Sequence, residues 1–77
     1  MALSARKVGT AKPGRHVDGR GLMLYVKPSG ARSWVLRFQQ NGRRRDMGLG
    51  PYPDVSLAEA RELAHQARKA IREGSDP

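Results

Sequence analysis

The fold is decided by one stretch of the chain, Ser33-Trp34-Val35-Leu36-Arg37-Phe38-Gln39-Gln40-Asn41-Gly42-Arg43-Arg44-Arg45-Asp46-Met47-Gly48-Leu49. Its Asn41-Gly42 pair is the strongest short signal for a β-hairpin, because both residue types tolerate the positive φ angles of a two-residue type I′ turn. That turn fixes the register: Gln40 is opposite Arg43, Gln39 is opposite Arg44, and the pairing continues one residue at a time along both strands away from the turn. The stretch therefore predicts two antiparallel strands, over 33–40 and 43–49.

This register sorts the side chains onto two faces, because opposed residues point to the same side of a sheet. A preceding strand over 22–27 should join the hairpin. One face then collects the apolar residues Trp34, Leu36, Phe38, Met47 and Leu49, with Leu22, Leu24 and Val26, and Trp34 is opposite Leu49. The other face collects Val35, Arg37, Gln39, Arg44 and Asp46, with Met23, Tyr25 and Lys27. We expect a sheet with one apolar side and one basic, polar side.

A helix that can cover the apolar side follows the hairpin. Gly50-Pro51-Tyr52-Pro53 predicts a rigid connector that neither continues the strand nor starts a helix. Ser56-Leu57-Ala58-Glu59 is a capping box, and Gly74 is a typical C-terminal cap, so a helix is predicted from Leu57 to Glu73. Its apolar residues form one stripe, which matches the one apolar face of the sheet.

The first part of the chain is weakly patterned. Lys12-Pro13-Gly14-Arg15 and Asp18-Gly19 predict turns, with a helical turn near Ser4 to Val8 and a short strand around His16-Val17. The predicted fold is α+β, a single domain over 1–77. It has a weakly patterned arm over 1–19 and a three-stranded antiparallel meander over 20–50, with the short N-terminal strand as an optional addition. A C-terminal helix over 56–73 covers one face.

Composition excludes several classes of protein. The chain has 77 residues and no cysteine, which excludes disulfides and thiolate metal sites. No apolar run approaches the roughly 20 residues that span a bilayer, and no signal peptide begins the chain. We expect a cytoplasmic protein without membrane contact. No catalytic or metal-ligand constellation is present, so we expect no enzyme activity, cofactor, metal or small-molecule substrate.

The net charge of the chain indicates a polyanionic binding partner. Lys and Arg number 15 against 7 acids, a net charge of +8, and from Arg20 to Arg45 there are cations but no acid. Such a basic segment beside a nearly neutral helix is typical of nucleic-acid binding. The alternative is a solubilising surface or an acidic protein partner.

Strands can read a B-DNA major groove, since three strands are about 10 Å across and the groove about 12 Å wide. The candidate DNA-binding residues are Tyr25, Lys27, Arg32, Arg37, Gln39, Arg43 and Arg44. Gln39 and Arg44 come first, because Gln pairs with adenine and Arg with guanine.

Several of these residues have structural alternatives. Arg37 could simply pair with Asp46, and Tyr25 could merely cover the sheet. Arg45, on the side of Phe38, is expected to be structural. The helix carries a second basic strip, which could contact the DNA groove in place of the sheet. It consists of Arg61, His65, Arg68 and Arg72.

The ordered motifs resemble a known family. Asp18-Gly19-Arg20-Gly21-Leu22-Met23-Leu24-Tyr25-Val26, Pro28-Ser29-Gly30-Ala31-Arg32-Ser33-Trp34, Asn41-Gly42, Leu49-Gly50-Pro51-Tyr52-Pro53 and Ser56-Leu57-Ala58-Glu59-Ala60-Arg61 are similar to the N-terminal domain of prophage-type tyrosine integrases. The resemblance implies a domain that binds accessory arm-type sites in double-stranded DNA during integration or excision of mobile DNA. It also implies that the core-binding and catalytic domains, with the catalytic tyrosine, are absent, so the chain looks like an excised, inactive fragment.

Two other hypotheses remain open. The domain could be a protein-interaction module that contacts other integrase protomers or a directionality factor. RNA binding is disfavoured, because single-strand readers usually display several aromatic residues and only Tyr25 qualifies here.

Overall fold

A computed structural model describes residues 3–74 and contains one sheet and two helices. In chain order the elements are α1 (Ala5–Thr10), β1 (Gly14–Gly19), β2 (Leu22–Val26), β3 (Arg32–Gln40), β4 (Arg43–Tyr52) and α2 (Leu57–Arg72). The predicted α+β fold is confirmed. Neither helix in this part of the chain is long and apolar enough to cross a membrane.

The sheet has four antiparallel strands in the order β1-β2-β3-β4. The optional N-terminal strand around His16-Val17 is therefore present as β1, and the sheet covers 14–52 rather than 20–50. The first hairpin turns at Arg20-Gly21, not at Asp18-Gly19 as predicted, and the β1–β2 register shifts between Val17 and Gly19.

The decisive hairpin turns as predicted. Asn41 and Gly42 have φ angles of 53° and 75°, as a type I′ turn requires. The predicted register holds from Gln40 opposite Arg43 to Val35 opposite Gly48. Beyond that, a bulge makes Trp34 face Gly50, so the predicted Trp34–Leu49 pairing is wrong.

β4 also runs further than the sequence suggested. Pro51 and Tyr52 pair with Ser33 and Arg32, so the predicted connector is the end of a strand. The prediction failed because β4 lies at the edge of the sheet, where a proline can point its missing N–H away from the ladder.

The core lies between the sheet and the two helices. Trp34, Leu24 and Leu36 are completely buried. The other buried core residues are Leu22 and Val26 of the sheet, Leu57, Ala60 and Ala64 of α2, and Val8 of α1. The sheet and α2 members confirm the predicted apolar faces. Val8 is an addition, because α1 also covers this side.

Local hydrogen bonds fix α2 where the sequence predicted it. The Glu59 amide donates to Ser56 Oγ at 3.1 Å, and the Ser56 amide donates to the Glu59 carboxylate at 3.4 Å, which completes the capping box. The buried Trp34 indole N–H donates to the Val55 carbonyl at 2.7 Å. The start of the helix is thereby tied to the middle of β3.

The β3–β4 hairpin projects beyond the rest of the sheet. β2 begins at Leu22, which is opposite Leu36, and a bond of 2.8 Å from the Arg37 amide to the Gly21 carbonyl is the last link to β3. Residues 37–46, which we call the hairpin arm, continue as two strands over a further length of about 13 Å. The molecule is correspondingly elongated, with extents of 36 × 22 × 21 Å.

We expect Gly21→Ala to be far more damaging than Gly42→Ala, although both glycines occupy the same position of a two-residue turn. A Cβ at Gly21, where φ is 87°, would clash with the Arg37 carbonyl oxygen, whereas one at Gly42 meets nothing within 4 Å. Gly42→Ala should cost about 1 kcal/mol for backbone strain alone, and Gly21→Ala about 3 kcal/mol. Urea unfolding measures both, and equal losses would contradict the close approach at Gly21.

Candidate nucleic-acid interface

The face of the sheet opposite α2, which we call the outer face, is polar at one end and apolar in the middle. Met23 is only 8% exposed, and with Val35 it lines a shallow depression whose remaining lining residues are Arg15, Tyr25, Arg37 and Asp46. Val17 is 52% and Tyr25 40% exposed on this face. The outer face carries the residues predicted for it, with Met23 and Val35 forming an apolar centre beside the basic, polar end.

The polar end is the hairpin arm. Gln39 and Arg44 face each other across its strands, and both are exposed. Arg37 lies on the same face, while Arg43 lies beside the turn opposite Gln40. Four of the seven predicted DNA-binding residues are thus brought together on a segment only two strands wide.

Arg37 forms an ion pair with Asp46 across the arm. Its Nε donates to Asp46 Oδ1 at 3.0 Å, so the structural alternative for Arg37 is realised. This hydrogen bond lowers the pKa of Asp46 and raises the pKa of Arg37, and the nearby Arg15 and Arg44 charges also lower the pKa of Asp46. The only acid on the arm is therefore surrounded by cations and orients one of them.

Two other predicted residues lie at the opposite end of the sheet. Tyr25 pairs with Ser33, which is six residues before Gln39 on β3, a separation of about 20 Å along the strand. Lys27 follows directly after β2 and is exposed. Neither residue joins the cluster on the arm.

Arg32, predicted as a phosphate contact, points to the helix side of the sheet. It is opposite Val26, and its guanidinium donates to the carbonyls of Gly30, Gly9 and Ala11 at 3.0, 3.2 and 3.3 Å. The bonds to Gly9 and Ala11 hold the end of α1 against the sheet. Arg32 is therefore not on the outer face.

The fourth strand changes the fit to DNA. Four strands measure about 14 Å between the outermost backbones, which exceeds the major-groove width of about 12 Å. The width argument made for three strands therefore does not extend to all four, and DNA contact through the sheet face stays a prediction. The hairpin arm, with about 5 Å between its two backbones, is narrower than the major groove.

The basic strip on α2 is divided between structural and exposed roles. Arg61 donates to both carboxylate oxygens of Asp18 at 2.9 and 3.0 Å, and also to the Leu3 carbonyl. The Leu3 amide donates to the same carboxylate at 2.8 Å, so Asp18 ties α2 to β1 and the N-terminal segment. Arg68 donates to the Arg20 carbonyl at 3.2 Å in the first hairpin turn.

Sequence reasoning missed Arg15 and Asp18 as parts of these surfaces. The alternation of Arg15 and Val17 was the available signal for β1, but Asp18-Gly19 also predicts a turn at that point. In the part of the chain between residues 3 and 74, no group of three or more His, Cys, Asp or Glu side chains could hold a metal ion.

A small α+β domain with four arginines on a projecting β-hairpin has the charge distribution typical of polyanion-binding domains. Comparison with known proteins gives the family: residues 3–77 match the Arm DNA-binding domain, and the chain belongs to that family. It is thus a DNA-binding module of the kind found in phage integrases, and the arm DNA-binding domain is a non-catalytic part of those proteins.

Its relatives include several integrases. The chain is 47% identical over 66 residues to the integrase of Shigella phage Sf6 and, with the same values, to prophage integrase IntS of Escherichia coli (strain K12). These matches cover 86% of the chain and 17% of each relative. The integrase of Enterobacteria phage P4 is 35% identical over an alignment of 83 residues, gaps included, which covers 100% of the chain and 19% of the relative.

We expect Asp18→Asn to lower stability at neutral pH but not at low pH. The Arg61 hydrogen bonds lower the pKa of Asp18, so its contribution is present above its unfolded pKa of about 3.9 and is lost as the pH falls through the folded value. Because Arg61 is half exposed, we expect a loss of about 1 kcal/mol at pH 7.

Urea unfolding of the wild type and Asp18→Asn between pH 7 and pH 2 measures this difference. The exposed Asp54, in the turn before α2, provides a control as Asp54→Asn. A difference for Asp18→Asn that stays constant over the whole pH range would show that the carboxylate charge has no part in the contact.

Proposed function

We propose that the hairpin arm lies in the major groove of double-stranded DNA at accessory arm-type sites, with its outer face towards the base edges. The observation that carries this proposal is the pairing of exposed Gln39 and Arg44 on a two-stranded ribbon. A ribbon of this width enters a major groove, whereas the four-stranded body does not.

The side chains on the arm have distinct chemical roles in this arrangement. The amide of Gln39 offers a donor and an acceptor, which match adenine N7 and N6, and the Arg44 guanidinium matches guanine O6 and N7. Arg37, oriented by Asp46, presents its remaining N–H groups to a second guanine or a phosphate. Arg43, beside the turn, is suited to a phosphate.

Tyr25 and Lys27 contact DNA differently in this proposal. They lie about 20 Å from Gln39 along the sheet, so they meet the phosphate backbone outside the groove segment that the arm occupies. Such contacts position the domain without reading sequence.

The role of the whole protein is also a proposal, because the chain spans only 17% of the length of the first integrases it matches. We infer that it serves a tyrosine recombinase that integrates or excises mobile DNA in the cytoplasm. In that setting this domain holds an arm-type site while other domains bind the core site and cut.

The first test is the salt dependence of binding. If four to six phosphates are neutralised, log K for a duplex pool of random sequence should fall with log[salt] at a slope of about −4 to −5. Fluorescence anisotropy between 50 and 300 mM salt, about the range over which such contacts weaken, measures the slope. A slope near zero would remove the electrostatic basis of the proposal.

The second test concerns base reading by the arm. On a duplex selected from that pool for tight binding, Gln39→Ala and Arg44→Ala should each cost about 1–3 kcal/mol relative to unselected duplex. Arg45→Ala is the matched control: it removes a cation next to Arg44, but its side chain lies on the face of Phe38. Equal loss of discrimination in all three variants would reject reading by the outer face.

A protein-contact role is favoured by one observation, the exposure of Val17 and Tyr25 around the apolar centre of the outer face. The partner in that case is another integrase protomer or a directionality factor. Self-association of the chain at micromolar concentration that Val17→Ser abolishes, together with a flat salt dependence for DNA, would support this role in place of DNA binding.

A further inference from the structure

We propose that Arg20 and Arg68 form a second anion site, which holds a backbone phosphate of the DNA strand running beside the hairpin arm. This inference rests on the proposed function of the arm. It adds the first hairpin turn and the C-terminal half of α2 to the DNA-binding surface.

The site lies where the sheet narrows from four strands to two. The turn at Arg20-Gly21 joins β1 to β2. The Gly21 carbonyl accepts a hydrogen bond from the Arg37 amide at 2.8 Å, so the turn lies against the base of the arm. Beyond it, none of the described strands lies on the β2 side of β3 along residues 38–40. We call this change in the width of the sheet, at residues 20–21, the step. A DNA strand that flanks a ribbon in the major groove crosses the step directly over the turn.

The side chains at the step are basic, and only part of that charge is neutralised. Arg20, Arg61 and Arg68 line an open depression of about 370 Å³ together with Asp18, Gly19 and Leu22. Asp18 is the acid in this lining, and Arg61 occupies both of its oxygens. Arg20 and Arg68 therefore leave the depression with a net positive charge, which is complementary to a phosphate.

The position of Arg68 is fixed by packing as well as by charge. Its side chain is half-buried at the border of the core stripe of α2, and its Nη1 donates to the Arg20 carbonyl at 3.2 Å. A guanidinium carries five N–H donors, so this bond leaves others directed towards the depression. A cation held in this way loses less side-chain entropy on binding than a mobile surface lysine.

The test compares charge removal at the step with charge removal elsewhere on the same helix. The double variant Arg20→Gln/Arg68→Gln removes the proposed site. Lys69→Gln is the matched control, because Lys69 is the next residue of α2, is exposed and lies further from the core stripe. Arg68→Lys keeps the charge. The probe is the random-sequence duplex pool, and urea unfolding shows whether each variant is folded.

We expect the double variant to reduce the salt slope by about 0.9, because one phosphate contact is lost, while Lys69→Gln and Arg68→Lys keep the wild-type slope. If a folded double variant keeps the wild-type slope, or Lys69→Gln reduces the slope as much per charge, the second site is refuted although the arm still binds. If the double variant does not fold, Arg20→Gln alone decides, with an expected reduction of about half that value. A wild-type slope near zero would instead overturn the proposed function itself.

Discussion

The structure depends on the contact of Trp34 with the start of α2. The indole is completely buried in the middle of the sheet, and its N–H donates to the Val55 carbonyl just before the capping box of α2. This bond satisfies a polar group that would otherwise be costly to bury. It also commits one face of the sheet to the helix, and the opposite face is thereby left for a ligand.

A difference in strand length then creates the candidate binding element. β2 has 5 residues and β3 has 9, so the β3–β4 hairpin continues where β2 has ended. Phe38, on the helix side of this extension, packs against the core and supports it from beneath. The extension is consequently narrow and anchored at the same time, and these are the properties that a groove-reading ribbon requires.

Arginine serves two purposes in this chain, and the net charge does not distinguish them. Arg32 holds the end of α1 through the carbonyls of Gly9 and Ala11, and Arg61 joins α2 to β1 through Asp18. These guanidinium groups are occupied by the protein. On the arm, Arg37 is half-buried and paired with Asp46. The arm's other arginines and Arg20 at the first hairpin turn are exposed, so the basic surface is smaller and more localised than a count of cations indicates.

The sequence by itself determined the features that depend on neighbouring residues. Asn41-Gly42 selected the turn and with it the register of the arm, and Ser56 with Glu59 set the start of α2. These features were predictable because a turn geometry or a cap is satisfied within a few residues. The pairing of Gln39 with Arg44, the centre of the candidate site, followed from the same turn.

Only the tertiary structure decided the features that depend on distant contacts. β4 continues through Pro51 because it lies at the edge of the sheet, and Val8 is buried because α1 folds over the same core. Arg32 became structural because the end of α1 lies beside it. In each case the deciding partner is remote in sequence or on another element, so no local pattern could reveal it.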